Sequence, residues 1–224
     1  MPASTTRSST SAHCWSGPTV TRPRARRSRR SPTSESGGVL TMVTRASRLV
    51  LLNGMPGIGK STLAARYVAD HPGVLLLDVD HVRRMIGGDL ADNAEPARHL
   101  ALAMARAHLE VGQDVVVPQL VARLDQVERF EQVAREAGAT VVHVLLLDEG
   151  DRDEDRFYRR EGDDAWHEDV RRLVAREGGR ARLAAYEEGL REVAAARPHL
   201  EVLHTREGEA DESYADLLGL LDPD

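Results

Sequence analysis

The chain has 224 residues, 41% of them hydrophobic and 29% charged, with a net charge of −6. That balance fits a globular protein able to bury a real core, and no apolar run approaches the length of a membrane span. The single cysteine, Cys14, excludes an internal disulfide and a cysteine metal cluster, and agrees with a reducing, cytoplasmic setting.

Residues 1–47 are rich in Ser, Thr, Pro and Arg, with almost no apolar periodicity, as in a disordered tail. Up to Arg48 there are nine arginines against one acid, Glu35, a charge of +8; by difference from −6 the remainder carries −14. Three readings of the tail stand side by side. It is a mis-called start, with translation beginning at Met42; or a basic arm for nucleic acid or anionic surfaces; or a targeting segment.

The domain proper is expected over 48–224. Arg48 to Asn53 is a short apolar run, the pattern of a buried parallel strand. It leads into GMPGIGKS, Gly54 to Ser61, a complete G-x-x-x-x-G-K-S phosphate-binding loop. Ser61 to Ala69 then reads as a helix. Strand, glycine loop and helix together aim backbone N–H groups and a helix N-terminus at phosphate oxygens. Lys60 is the only lysine among 30 basic residues. A compact ammonium reaches β- and γ-phosphates where a planar guanidinium fits poorly. Gly54, Met55, Pro56, Gly57, Ile58, Gly59, Lys60, Ser61 and Thr62 are therefore the expected ATP-binding residues. Ser61 is placed to meet a magnesium ion.

Gly73 to Leu77 reads as a second strand, ending at Asp78-Val79-Asp80. His81 to Ile86 is expected to be helical, and Pro96 to open a further helix with Leu100, Met104, Ala107 and Val111 on one apolar face. Asp114 to Val117 reads as a third strand. Ala122 to Ala137 is an amphipathic helix through Leu124, Val127, Phe130 and Val133, closed by Gly138. Thr140 to Leu147 is a fourth strand, Ala181 to Ala196 a helix, Leu200 to His204 a fifth strand, and Asp211 to Leu221 the last helix. Strands alternating with helices predict an α/β fold, a parallel sheet covered on both faces, with ligands at the carboxyl ends of its strands. The phosphate loop and Asp78/Asp80 should then meet in one crevice.

Asp78-x-Asp80-x-x-Arg83 is the second signal. Phosphoryl transfer to a hydroxyl needs a carboxylate that orients the acceptor and takes its proton, and a cation that steadies the moving charge. Asp80 is the candidate base, Arg83 the cation, and Asp78 a candidate ligand of magnesium-bound water. The plainer alternative is that an Asp after a strand simply caps the next helix. From about 149 to 178 the chain is strongly charged. If helical, Arg152, Arg156 and Arg159 or Arg160 share a face, which suits an arginine-bearing lid over the phosphates, Arg156 foremost. The alternative is a solvated helix laced with ion pairs. The histidines show no metal-ligand spacing.

These residues resemble a known group. GMPGIGKST, followed by HPGVLLLDVDHVRR at the second strand, is similar to the P-loop kinases related to polynucleotide kinase, zeta-type toxins and chloramphenicol phosphotransferase, including proteins described as AAA-family ATP-binding or kinase-like. The resemblance implies a three-layer P-loop fold with a five-stranded sheet in the order 2-3-1-4-5 and a helical lid. It implies ATP and magnesium at Lys60 and Ser61, an acceptor-activating Asp80, and a supporting Arg83. One departure stands out. The third strand ends Val117-Pro118-Gln119, with no terminal acid, which disfavours a water-activating motor and leaves Gln119 facing the substrate. The expected activity is transfer of the γ-phosphate of ATP to a hydroxyl of a small molecule. A polynucleotide 5′-hydroxyl kinase would want a basic groove, against the charge of −14. A regulatory ATPase would not need the Asp80/Arg83 pair.

Overall fold

The computed structural model describes residues 46–149, 171–172, 174–176 and 178–222, which lie in a unit spanning Val43–Asp224. The expectations for the tail through residue 45, and for Arg152, Arg156, Arg159 and Arg160, lie outside these residues.

Five parallel strands form one sheet: β1 (Arg48–Gly54), β2 (Leu75–Leu76), β3 (Val115–Pro118), β4 (Thr140–Asp148) and β5 (Glu201–Thr205), in the order β2-β3-β1-β4-β5. β1 is central, pairing with β3 on one side and β4 on the other, and all seven of its residues are buried. A run of Leu and Val without polar alternation suits a strand covered on both faces. Leu49 and Leu51 face one core, shared with Ala97, Ala101, Val127, Phe130 and Val193. Val50 and Leu52 face the other, with Leu63, Tyr67, Tyr214 and Leu217. The helices are α1 (Lys60–Asp70), α2 (Val79–Met85), α3 (Ala94–Glu110), α4 (Leu124–Glu136), α5 (Arg180–Ala196) and α6 (Ala210–Leu221). Residues 171–172 and 174–176 are also helical.

Three expectations are corrected. β2 is two residues, Leu75–Leu76, at the sheet edge, where it pairs with β3 alone and leads at once into the Asp78 cap of α2. Pro96 does not open α3; the helix begins at Ala94, which leaves proline in the first turn, where no intrahelical donor is required. The apolar face assigned to α3 is not the buried one. Ala97, Ala101, Ala105 and Leu109 are buried, while Leu100, Met104 and Val111 are 48%, 42% and 69% exposed. Alanines let a helix approach the sheet closely, and dispersion at short range favours that side over one of larger, protruding side chains.

The amino end of β1 is tied by one side chain. Arg48 is 7% exposed, donates to Asp114 at 3.0 Å and to the Tyr67 hydroxyl at 2.8 Å, and also bonds the Leu221 carbonyl. It links β1 to α1, to the turn before β3 and to the end of α6, a buried cation fully provided with partners.

Candidate active site

The carboxyl end of β1 runs directly into the glycine loop. Gly54 has φ of 142°, and a Cβ there would lie 2.7 Å from the Leu146 carbonyl oxygen. Only glycine meets both demands. Gly59, at φ 109°, precedes α1, and no side chain among the described residues caps that helix. Its first-turn N–H groups are left for an anion. The Lys60 ammonium is 8% exposed and donates to the carbonyls of Gly54 at 2.9 Å and Met55 at 2.8 Å. Ser61 and Thr62 are exposed. Met55 and Ile58 turn inward, at 2% exposure each, so they contribute backbone to the loop and side chains to the core. Met55 packs with Leu145, Val174, Leu183 and Leu190.

The acidic pair divides its work. Asp78 is the N-cap of α2, its Oδ1 accepting from the backbone N–H of Asp80 at 2.9 Å and of His81 at 3.2 Å. The capping role thus falls on Asp78 and leaves Asp80 unused by it. Burial, and then the neighbouring Asp78 charge, push the Asp80 carboxyl above its ordinary value, while Arg83, Lys60 and Arg84 pull the other way. Lys60 and Asp80, twenty positions apart, therefore share one field: β3 lies between β2 and β1, and both motifs sit at carboxyl ends. Arg83 bonds the Leu90 carbonyl through Nε, which holds the turn after α2.

Asn53 is not among the site residues expected from sequence. It is fully buried, and its Oδ1 accepts from the N–H of Gly54 at 2.9 Å and of Val121 at 2.8 Å. Its Nδ2 donates to the Val121 carbonyl at 2.8 Å and contacts His143 Nε2 at 3.3 Å. One side chain thus binds the start of the phosphate loop to the segment between β3 and α4. Burial holds His143 neutral, with its pKa lowered to about 4, so Nε2 is free to accept that bond. The only available signal was a polar residue closing an apolar strand.

A cleft beside the loop is lined by Gly57, Gly59, Thr62, Thr205, Arg206 and Ser213, joining the phosphate loop to the turn between β5 and α6. Among the described residues no group of three His, Cys, Asp or Glu side chains is placed to hold a metal ion. A magnesium ion here would arrive on the nucleotide, held by phosphate oxygens, the Ser61 hydroxyl and water. Gln119, just after β3, has its Oε1 buried without a hydrogen-bond partner among the described residues.

A parallel sheet in this order, with a glycine loop between β1 and α1, defines a P-loop nucleotide-binding protein. A family model described as an AAA domain matches residues 49–185, and the chain belongs to that family. No curated protein matches it. Among solved structures it is similar to the Deinococcus radiodurans tunicamycin resistance protein, at 14% identity over 79% of this chain and 96% of that one, with a TM-score of 0.50. The Mycobacterium tuberculosis APS kinase CysC Cys556Ala mutant matches at 18% identity over 79% and 98%, with a TM-score of 0.45. The first of these likenesses concerns the fold.

Proposed function

We propose that the protein is an ATP- and magnesium-dependent phosphotransferase that moves the γ-phosphate of ATP to a hydroxyl of a small-molecule acceptor. The observation that carries this reading is the placement of Asp80: half-buried at the carboxyl end of β2, raised in pKa, and within the field of both Lys60 and Arg83. A carboxylate with increased basicity beside the phosphate-binding lysine suits a group that takes a proton from an attacking hydroxyl. A nucleotide switch has no use for it.

In this reading the loop N–H groups and Lys60 bind the phosphates, with Lys60 exchanging two loop carbonyls for phosphate oxygens. Magnesium supplies charge neutralisation of the phosphates. Asp80 orients the acceptor and accepts its proton as the new P–O bond forms and the bond to ADP breaks. Arg83 offsets charge on the acceptor side. Asp78 remains a candidate for a metal-bound water through the oxygen it does not use in capping. β3 ends at Pro118 and is followed by Gln119, without the acid that a water-activating motor places there. Arg156 is proposed, with the lid over about 149–178, as the further cation at the phosphates. The basic tail and the domain boundary near 48 are retained as proposals, as is a cytoplasmic location. Among the described residues no helix is long and apolar enough to cross a membrane.

The test is transfer of labelled phosphate from ATP to a panel of sugars, nucleosides, antibiotics and oligonucleotide 5′ ends. Lys60→Ala and Asp80→Asn should each abolish transfer, with ATP binding largely kept in Asp80→Asn. Transfer retained in Asp80→Asn would sink the base assignment. Labelling confined to oligonucleotide ends would replace the small-molecule acceptor.

A further inference from the structure

The residue before the phosphate loop sits in a set of hydrogen bonds that fixes every proton within it. Asn53 Oδ1 accepts from two backbone N–H groups, of Gly54 at 2.9 Å and of Val121 at 2.8 Å. Its Nδ2 donates to the Val121 carbonyl at 2.8 Å and meets His143 Nε2 at 3.3 Å. Turning the amide over would set its N–H groups against two backbone donors and its oxygen against a carbonyl, so one orientation is open. The remaining partner must then be an acceptor. Nε2 of His143 is bare, and the proton of the neutral ring sits on Nδ1.

That Nδ1 is buried with no hydrogen-bond partner among the described residues, on a side chain that is 7% exposed. A buried donor left in this way is destabilising. The charged groups acting on the ring are Glu131 of α4 and Arg197 beyond α5, and these bond each other at 2.6 and 3.0 Å. An unpaired buried N–H in a native fold calls for a reason, and the bond that Nε2 accepts from Asn53 supplies one.

What Asn53 holds is the first peptide of the phosphate loop. Gly54 gives its N–H to Asn53, and its carbonyl accepts from the Lys60 ammonium at 2.9 Å. Gly54 is also pressed against β4, where a Cβ would lie 2.7 Å from the Leu146 carbonyl oxygen. The same strand carries His143, in register with Leu51 of β1, so strand pairing keeps the ring at a fixed height below the loop. The contacts run without a break from the ring through Asn53 and Gly54 to the lysine. Among these groups only the imidazole can exchange a donor for an acceptor. With its proton on Nε2 it would face Asn53 donor to donor and push the amide off Gly54.

We propose that His143 is a positioning residue for the phosphate loop: in its Nδ1–H form it holds the Asn53 amide, and through it the Gly54 peptide, in the arrangement that receives nucleotide phosphates. The inference rests on the nucleotide-binding part of the reading above and is independent of the acceptor.

The test has two measurements on the full chain. Long-range proton–nitrogen NMR of the isotopically labelled protein at neutral pH should show His143 protonated at Nδ1 and bare at Nε2. A proton on Nε2 overturns the proposal. Calorimetric titration with a non-hydrolysable ATP analogue and magnesium then compares wild type, His143→Leu and His143→Gln, with thermal unfolding reporting on folding. His143→Leu, which removes the acceptor, should weaken binding about three- to tenfold, the worth of one neutral hydrogen bond, and should move the Gly54 amide resonance. His143→Gln, which offers an oxygen acceptor, should recover most of that loss. A folded His143→Leu with wild-type affinity and an unmoved Gly54 resonance overturns the proposal. So does an equal loss in His143→Gln, since that marks packing rather than the acceptor. Should His143→Leu not fold, the wild-type tautomer and the His143→Gln affinity decide the point. Absence of nucleotide binding by wild type overturns the proposal and the phosphotransferase reading together. Binding that depends on His143, without transfer to any acceptor, overturns only the latter.

Discussion

Asn53 and Val121 are joined like a single rung of a sheet: the Asn53 side-chain amide accepts from the Val121 N–H and donates to its carbonyl, both at 2.8 Å. Because Asn53 also accepts from the Gly54 N–H at 2.9 Å, the phosphate loop and the segment after β3 share one anchor. Asn53→Ala leaves buried backbone groups unpaired and should cost roughly 2–4 kcal/mol. Urea unfolding measures this. Asn53→Asp keeps both accepted bonds but loses the two donated ones, so it should also weaken nucleotide binding, read by calorimetry. Wild-type behaviour in both variants would mean the anchor is dispensable.

Asp80 sets the expected pH dependence of transfer. Its pKa is raised in the fold, by burial and then by Asp78. The base form is therefore depleted in acid over a wider range than for a free aspartate, and transfer should rise with pH to a plateau whose midpoint lies above the ordinary carboxylate value. For stability the sign is opposite. The fold binds this proton more tightly than the unfolded chain, so stability falls as pH rises from the ordinary value through the raised one. Asp80→Asn, with transfer already abolished, should remove the stability trend. Parallel pH–rate and pH–stability profiles check it; a midpoint at the ordinary carboxylate value counts against the assignment.

His143 makes the reverse contribution. Its pKa is lowered from 6.5 to about 4 by burial. The unfolded chain then binds the extra proton between those values, so stability is full above 6.5 and is lost as pH falls toward 4. The effect is about 3 kcal/mol at most. Substituting His143→Gln should flatten that acid limb, observed as denaturation midpoints between pH 4 and 7. An unaltered limb would locate acid sensitivity elsewhere.

Gly189 permits the close approach of α5 to the segment after β3. In Gly189→Ala the added Cβ meets the Ala122 carbonyl oxygen at 2.2 Å, so backbone must move. Overpacking of this kind costs about 1–3 kcal/mol. The clash is with backbone, so adding Ala122→Gly should restore little. Thermal unfolding of the single and double variants decides the point; full recovery would assign the clash to the Ala122 side chain.

Local pattern determined much of this protein. GMPGIGKS and its flanking strand and helix specify the phosphate loop, because backbone conformation there depends on adjacent glycines. The alternation of apolar runs with amphipathic stretches specified a covered parallel sheet, and the resemblance supplied its order, 2-3-1-4-5, as observed. Tertiary structure alone decided which face of α3 is buried, since close approach favours Ala97, Ala101 and Ala105 over the larger Leu100 and Met104. It likewise decided that Asp78 caps α2 while Asp80, left out of the cap, stands in the field of Lys60, because both aspartates follow the strand and only packing separates their surroundings. It placed Asn53 against Val121, a contact across 68 positions of chain, and buried Gln119 Oε1 without a partner among the described residues, neither of which periodicity encodes. Short-range rules act between neighbours in sequence; burial and electrostatic fields arise only when distant segments meet.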